Sequence, residues 1–395
     1  MGADPHTDPF APVGRGLAGP HPINVLLIAH GALFLGFDYL PGALRTAAAG
    51  GLLVAYLGVI LAGLRVSADP EGLGAGGGIL PLAVLMGCWA LAVAWRPEGH
   101  PPALEPALRQ VATYGALLAC LVMRSRIAPG VLLTLAVGVA ISALMHALLL
   151  PAEYLNGRAR LAPYSANLHS SGYGLVAAML IVAHLSERGW PGRPLRLTLM
   201  AGLAILLLGN GVRTPLVFLA CYILLVWVSG GRRPVLPSPL SVLALAHVVI
   251  LVLLLLLLPG WERLDILASG RLANYAERFA LLWQRGGGIF LVGTGPGSDL
   301  LRTGVWWWEE KDSHSDLLKI LWEGGLVGFL AMLWFWVSLA MRHGGTMMAL
   351  SGAVLLSSAI SNGYLARPNP AFLLFACAAA RLAWQEGRGA SRPAA

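Results

Sequence analysis

The sequence predicts an all-α polytopic membrane protein with about twelve transmembrane helices and one sizeable outer loop. Of its 395 residues, 57% are hydrophobic and only 12% are charged, and the mean hydropathy is +0.71. Soluble globular proteins carry about 45–50% apolar and about 25% charged residues, so this chain has too few polar groups to cover a water-facing surface. The composition therefore excludes an ordinary soluble enzyme, a disordered chain and a fibrous one.

Twelve apolar runs predict the spans, because a membrane-spanning helix needs about 20 mostly apolar residues. Pro and Gly mark most of the junctions between these runs, as expected where helices end and the chain turns. The runs cover residues 23–40, 46–64, 78–95, 105–123, 129–150, 166–185, 195–210, 214–229, 240–258, 316–340, 346–362 and 370–384.

The arginine distribution predicts the orientation, because short cytoplasmic loops carry an excess of Lys and Arg. With both termini inside, the inner loops and tails hold thirteen arginines and the short outer loops seven. The net charge of +8 then reflects loops beside anionic headgroups, and no nucleic-acid partner is expected. The predicted organisation is a cytoplasmic tail (1–22), nine spans (23–258), an outer loop with the candidate catalytic residues (259–315), three further spans (316–384) and a second cytoplasmic tail (385–395).

The outer loop contains a predicted amphipathic helix. Arg271, Arg278 and Arg285 recur every seven residues, a spacing that keeps side chains on one helix face, while Leu272 and Phe279 fall on another. Guanidinium groups bind phosphate oxygens in bidentate fashion and stay charged at any working pH. The stripe is therefore a candidate phosphate site, and its alternative interpretation is an arginine face that reaches lipid headgroups.

Arg213 lies in a polar break, residues 209–215, between two apolar runs. A charge at the centre of a membrane helix costs about 2.5–3.5 kcal/mol, so an arginine at such a position is a functional candidate. The alternative is an arginine that extends to the membrane interface. The glycines and the proline around Arg213 favour a shaped turn and hence the functional interpretation.

His314 is the candidate general base, since a neutral imidazole with nearby carboxylates suits proton transfer near neutral pH. Asp312 and Asp316 flank it. We expect no metal site, because no second cluster of His or Cys completes a ligand set; a solvated loop histidine is the remaining alternative. The neighbouring run Trp306–Trp308 is typical of an interfacial anchor, which is compatible with a platform for sugar, and the glycine-rich segment 293–297 predicts a turn.

Three sequence elements, in chain order, indicate a family. They are LLLGNGVRT (206–214), SGR (269–271) with Tyr275 followed by FLVGTGPG (290–297), and HSDLL (314–318) followed by EGGLVG (323–328). Together they resemble the O-antigen ligase/polymerase superfamily of bacterial lipid-linked glycan transferases, over about residues 195–340. The chain departs from the family pattern at Thr214, where a small residue is usual, at Tyr275, which replaces a common Trp, and at Ser315, which replaces a common Asn.

The resemblance implies a GT-C-type inverting glycosyltransferase that needs neither metal nor cofactor. It would move a glycan from undecaprenyl pyrophosphate to lipid A–core, or to another glycan acceptor, at the periplasmic face of the bacterial inner membrane. His314 would deprotonate the acceptor, and Arg213 and Arg271 would stabilise the pyrophosphate leaving group. Arg278 and Arg285 would contact the substrate.

Three other functions stay open at this point. A polymerase of glycan repeat units and a protein O-oligosaccharyltransferase share the donor chemistry. A lipid or polysaccharide transporter would also explain the spans, but it predicts functional charge in the middle of the membrane, whereas the candidate residues here cluster at the outer edge.

Overall fold

The computed structural model describes residues 21–36, 39–66, 79–95, 104–155, 158–165, 167–228, 271–343, 345–365 and 368–390. Within these residues the chain forms thirteen α-helices, one short 3₁₀ turn (Arg124–Arg126) and a single two-stranded hairpin. The all-α class predicted from composition is thus confirmed for this part of the chain. The predicted ninth span, 240–258, lies outside the described residues.

The elements follow one another in this order: α1 Pro22–Gly36, α2 Gly42–Val66, α3 Ile79–Trp95, α4 Leu104–Val122, α5 Pro129–Leu149, β1 Glu153–Leu155, β2 Arg158–Arg160, α6 Leu168–Glu187, α7 Arg193–Asn210, α8 Arg213–Val228, α9 Arg271–Gln284, α10 Gly287–Val292, α11 Asp316–His343, α12 Gly345–Ile360 and α13 Pro368–Ala390. Strands β1 and β2 are antiparallel, with Glu153 opposite Arg160.

Several helices are suited to a membrane. Among the described helices, four contain segments long and apolar enough to cross a membrane, and six shorter ones are also apolar. The four long segments are Gly42–Leu64, Pro129–Leu149, Leu168–Glu187 and Asp316–Arg342. Eleven of the twelve predicted apolar runs coincide with a helix. The number of spans and the side on which each loop lies stay predictions.

Helix α6 lies at the centre of the bundle, where it packs against α5, α7 and α13. Its residues are almost all buried, and many of them are Gly, Ala or Ser, the small residues that let membrane helices approach closely. Gly172 illustrates the fit: a Cβ atom there would lie 2.9 Å from the side-chain oxygen of Asn210 on α7. The centre of the fold is therefore set by close backbone contacts.

Polar loops gather at one end of the bundle, which we call the loop end (residues 158–165, 210–214, 312–316 and 361–365). The Leu161 amide donates to the carbonyl of Gly209 (3.0 Å), which joins the hairpin to the turn between α7 and α8. The Tyr364 hydroxyl donates to the carbonyl of Tyr173 on α6 (2.8 Å). These contacts bring segments distant in sequence to one end of the helices.

Helix α11 is interrupted at Gly325, where φ is 65° and ψ is −173°. The interruption lets the carbonyls of Trp322 and Glu323 accept hydrogen bonds from the Thr294 and Gly295 amides, at 3.0 and 2.9 Å. Backbone polar groups in a membrane need such partners. The glycine-rich segment 293–297 is thus a turn, as predicted, and it docks against the break in α11.

Candidate functional site

His314 stands at the entrance to α11 in an unusual backbone conformation. Its φ is +53°, and within the described residues it alone among non-glycine residues has a positive φ. Such values occur in only a few per cent of non-glycine residues and need support from the surrounding structure. The side chain is about one-third exposed and its Nδ1 lies 3.4 Å from Oδ1 of Asp312. The imidazole therefore has a carboxylate neighbour and is partly open to the surface.

Helix α9 supports the His314 loop from one side. The Tyr275 hydroxyl donates to the His314 carbonyl (2.9 Å), and Nδ2 of the Asn274 side chain donates to the Ser313 carbonyl (3.3 Å). Burial raises the pKa of Tyr275 to about 12, although the charge of Arg271 opposes the rise. The phenol is consequently protonated at neutral pH and can donate this hydrogen bond.

The loop between α12 and α13 supports the other side of the same segment. Asn362 donates to Oδ2 of Asp312 (2.5 Å), while Oδ2 of Asp316 accepts the amides of Gly363 (2.8 Å) and Leu365 (3.1 Å). Ser315 caps α11, because its hydroxyl accepts the Leu318 amide at 3.3 Å, the usual role of Ser at a helix start. His314 is therefore fixed by contacts from two directions.

Arg278 is the most enclosed arginine of the stripe. Its side chain is fully buried and forms an ion pair with Asp299 (Nη1 to Oδ1, 2.7 Å). The same guanidinium donates to Oδ1 of Asn274 (3.0 Å) and to the carbonyls of Asp299 (2.7 Å) and Lys311. Because these donors are engaged in the protein interior, Arg278 holds the segments at 299 and 311 together, and its predicted substrate contact stays a prediction.

The Asp299 carboxylate links this ion pair to the His314 loop, since its Oδ2 accepts the Ser313 amide at 2.8 Å. Burial raises the pKa of Asp299 to about 6, and the positive charge of Arg278 opposes the rise. Burial also lowers the pKa of Arg278. The pair is thus a buried charge cluster beneath the candidate base.

The other two arginines of the stripe are less enclosed. Arg271, the first residue of α9, is half-buried, one turn before Tyr275. Arg285 is also half-buried, with its guanidinium carbon 4.8 Å from the ring centroid of Trp322, within range of a cation–π contact, and burial lowers its pKa. The predicted amphipathic helix is confirmed, and the substrate roles of Arg271 and Arg285 stay predictions.

Arg213 begins α8 directly after a tight turn and its side chain is exposed. The turn is built by Gly211, which has a φ of 67°, and the Thr214 hydroxyl lies 3.3 Å from Nδ1 of His169 on α6. The shaped turn predicted from the sequence is therefore present. Arg160 lies beside this turn, with its Nε 3.5 Å from the position of a Cβ on Gly211. It was not predicted as a neighbour of the turn, because the short strand that carries it leaves little signal in an apolar chain.

Lys319 and Glu323 were also missed as a pair. They follow Asp316 on one face of α11, three and seven residues later, and their charged atoms lie 3.8 Å apart. Oε1 of the buried Glu323 also accepts the amide of Gly297 at 2.8 Å. A possible signal was the rarity of lysine, since Lys311 and Lys319 are the chain's two lysines.

The described contacts connect the candidate residues in two steps. His314 and α9, which carries Arg271, meet directly through Tyr275. Arg213 belongs to the same loop end through Thr214, which contacts α6, and α6 in turn contacts the loop that holds Asp316. Among the described residues, no three His, Cys, Asp or Glu side chains are grouped so that they could hold a metal ion.

Comparisons with known proteins give no match to this chain among family models, curated proteins or solved structures.

Proposed function

We propose that this chain is a glycosyltransferase of the O-antigen ligase type, acting on an undecaprenyl-pyrophosphate-linked glycan at the periplasmic face of the bacterial inner membrane. The observation that carries the proposal is the fixed position of His314. It lies beside Asp312 at the entrance to an apolar helix, and α9 with Arg271 packs directly against its loop. The order of the sequence motifs supports the same assignment.

In this proposal His314 acts as the general base. It takes the proton of the acceptor hydroxyl as that oxygen attacks the anomeric carbon, and the nearby Asp312 carboxylate stabilises the resulting imidazolium. The bond between the anomeric carbon and the pyrophosphate oxygen breaks with inversion. General-base catalysis of this kind contributes about 10²–10⁴-fold to a rate.

The leaving group needs positive charge, because pyrophosphate departs with its electrons and its negative charge. Arg213 and Arg271 supply this charge in the proposal, as fixed donors directed at the oxygens where charge develops. Arg285 would contact the substrate further from the reacting bond. No step is assigned to Arg278, whose donors are engaged internally.

The envelope glycans of a deletion strain test the proposed function and separate it from its nearest alternative. Loss of a ligase leaves bare lipid A–core together with undecaprenyl-linked polymer. Loss of a repeat-unit polymerase leaves core that carries a single repeat. Both transferases would be ruled out if the deletion strain kept the parental glycan profile and complementation with the wild-type chain also left that profile unchanged.

A further inference from the structure

Residues 301–311 form a closed loop, which we call the tryptophan loop. Its two ends pair through reciprocal backbone hydrogen bonds between Leu301 and Lys311, each 3.0 Å long. The buried Arg278 reinforces the closure, because it donates to the carbonyls of Asp299 and Lys311. The Glu277 carboxylate accepts the Gly304 amide at 2.8 Å. The loop is therefore held to α9 at Gly304 and at Lys311.

One tryptophan of the loop points inward to the candidate base. Trp306 is buried, and its ring lies edge-on to the His314 ring with 5.0 Å between centroids. The Trp306 amide donates to the Thr303 carbonyl (3.1 Å), and the Lys311 ammonium lies 5.6 Å from the indole centroid. Trp306 thus fixes the loop directly beside His314.

The next two tryptophans point outward. Trp307 is 70% exposed and Trp308 is 56% exposed. Their ring planes are nearly perpendicular, at 89°, with centroids 5.8 Å apart, so the two rings do not cover each other face to face. Glu309 and Glu310 follow them at the surface, and Glu309 pairs with the Lys311 ammonium at 3.2 Å.

We infer that Trp307 and Trp308 bind sugar units of the acceptor glycan. This inference rests on the proposed function, since it places these two rings, which we call the sugar platform, beside the base that the acceptor hydroxyl must reach. Indole faces carry a negative quadrupole, which suits the apolar, weakly positive C–H faces of pyranose rings. Carboxylates are strong acceptors for hydroxyl groups, and Glu309 and Glu310 supply them next to the rings.

The acidic neighbours also favour sugar binding by Trp307 and Trp308 over a role as a membrane anchor. Tryptophan is common at membrane interfaces, but anionic headgroups attract basic segments and repel acidic ones. The two residues directly after Trp308 are both glutamate. The Trp306 contact with His314 further directs the loop to the candidate site.

Steady-state kinetics with the full-length protein in nanodiscs test the inference. The acceptor is delipidated core oligosaccharide released by mild acid from the lipopolysaccharide of the deletion strain. We expect Trp307→Ala and Trp308→Ala each to raise KM for this oligosaccharide about tenfold, equivalent to about 1.4 kcal/mol, with kcat within twofold and donor retention unchanged. Trp307→Phe should recover part of the loss. Trp283→Ala, which removes another exposed tryptophan, should leave KM unchanged.

Two measurements keep the inference distinct from the proposed function. Calorimetric binding of the same oligosaccharide does not require transfer, so loss of binding in Trp307→Ala supports the platform even where no transfer is seen. Equal binding by wild type and both alanine variants overturns it. Brominated lipids provide the second measurement, because they quench the fluorescence of tryptophans that lie in the membrane interface. If they quench a component of the wild-type fluorescence that is missing in the Trp307→Phe/Trp308→Phe variant, the two rings lie in that interface and the inference fails.

Discussion

Replacement of Arg278 by Met should destabilise the segments that carry His314 and the tryptophan loop. Arg278 is fully buried and its partner Asp299 is almost as enclosed, so the variant leaves an uncompensated buried carboxylate. Removal of one partner from a buried ion pair costs about 3–5 kcal/mol. At about 1.4 kcal/mol per tenfold, this corresponds to a loss of hydrogen-exchange protection of about 10²-fold to several thousandfold if the segments open locally.

Hydrogen exchange measured by mass spectrometry would show the effect in the peptides covering 299–316. The exposed Arg302 offers the control: Arg302→Met should leave exchange there unchanged. Arg278→Met/Asp299→Asn should recover part of the protection, since the buried charge is removed with its partner. Unchanged exchange in Arg278→Met, together with lost activity, would refute the structural role and favour the predicted substrate contact of Arg278.

The same variant should respond to pH through Asp299. Its pKa is about 6 in the folded protein, above the ordinary value of about 3.9, so the folded state binds more protons and this carboxyl lowers stability as the pH rises from about 4 through about 6. Loss of Arg278 raises that pKa further. Arg278→Met should therefore be less destabilised at pH 5 than at pH 8, as measured by exchange corrected for the intrinsic rates.

Three further outcomes are expected. Gly325→Ala should destabilise the break in α11 and speed thermal inactivation, since its Cβ would lie 2.3 Å from the carbonyl oxygen of Leu291. Gly287→Ala is the control: its Cβ meets nothing within 4 Å, so the rate of thermal inactivation should not change. Arg213→Lys and Arg271→Lys should each lose most transfer activity, because lysine keeps the charge without the bidentate geometry; full activity in both, at normal expression, would remove the pyrophosphate assignment. An impermeant thiol reagent should label Gly287→Cys and spare Gly231→Cys in a cysteine-free background, and the opposite pattern would reverse the predicted orientation.

The helices were predictable because their signal is local. Apolar runs of spanning length are visible in composition alone, and eleven of them coincide with described helices. The start of α11 was also visible, since Asp316 follows the polar segment of His314 and precedes the apolar run. The turn at Arg213 was predictable from the glycines before it and the proline after it.

Burial of Arg278 was not predictable from the seven-residue spacing. Periodicity tells which residues share a helix face but not which part of the chain covers that face, and here the cover comes from residues 299 and 311. The break at Gly325 was equally hidden, because hydropathy continues through it. Its cause is the non-local docking of residues 293–297 against α11.

The role of His314 is the central claim, and its most direct test is single-turnover glycan transfer by His314→Asn compared with wild type. Asparagine tolerates positive φ better than most residues, so it fits the backbone at φ +53° while it removes the base. We expect transfer to fall by about 10²–10⁴-fold and donor glycan to co-purify as before. Near-wild-type turnover in His314→Asn would contradict the account.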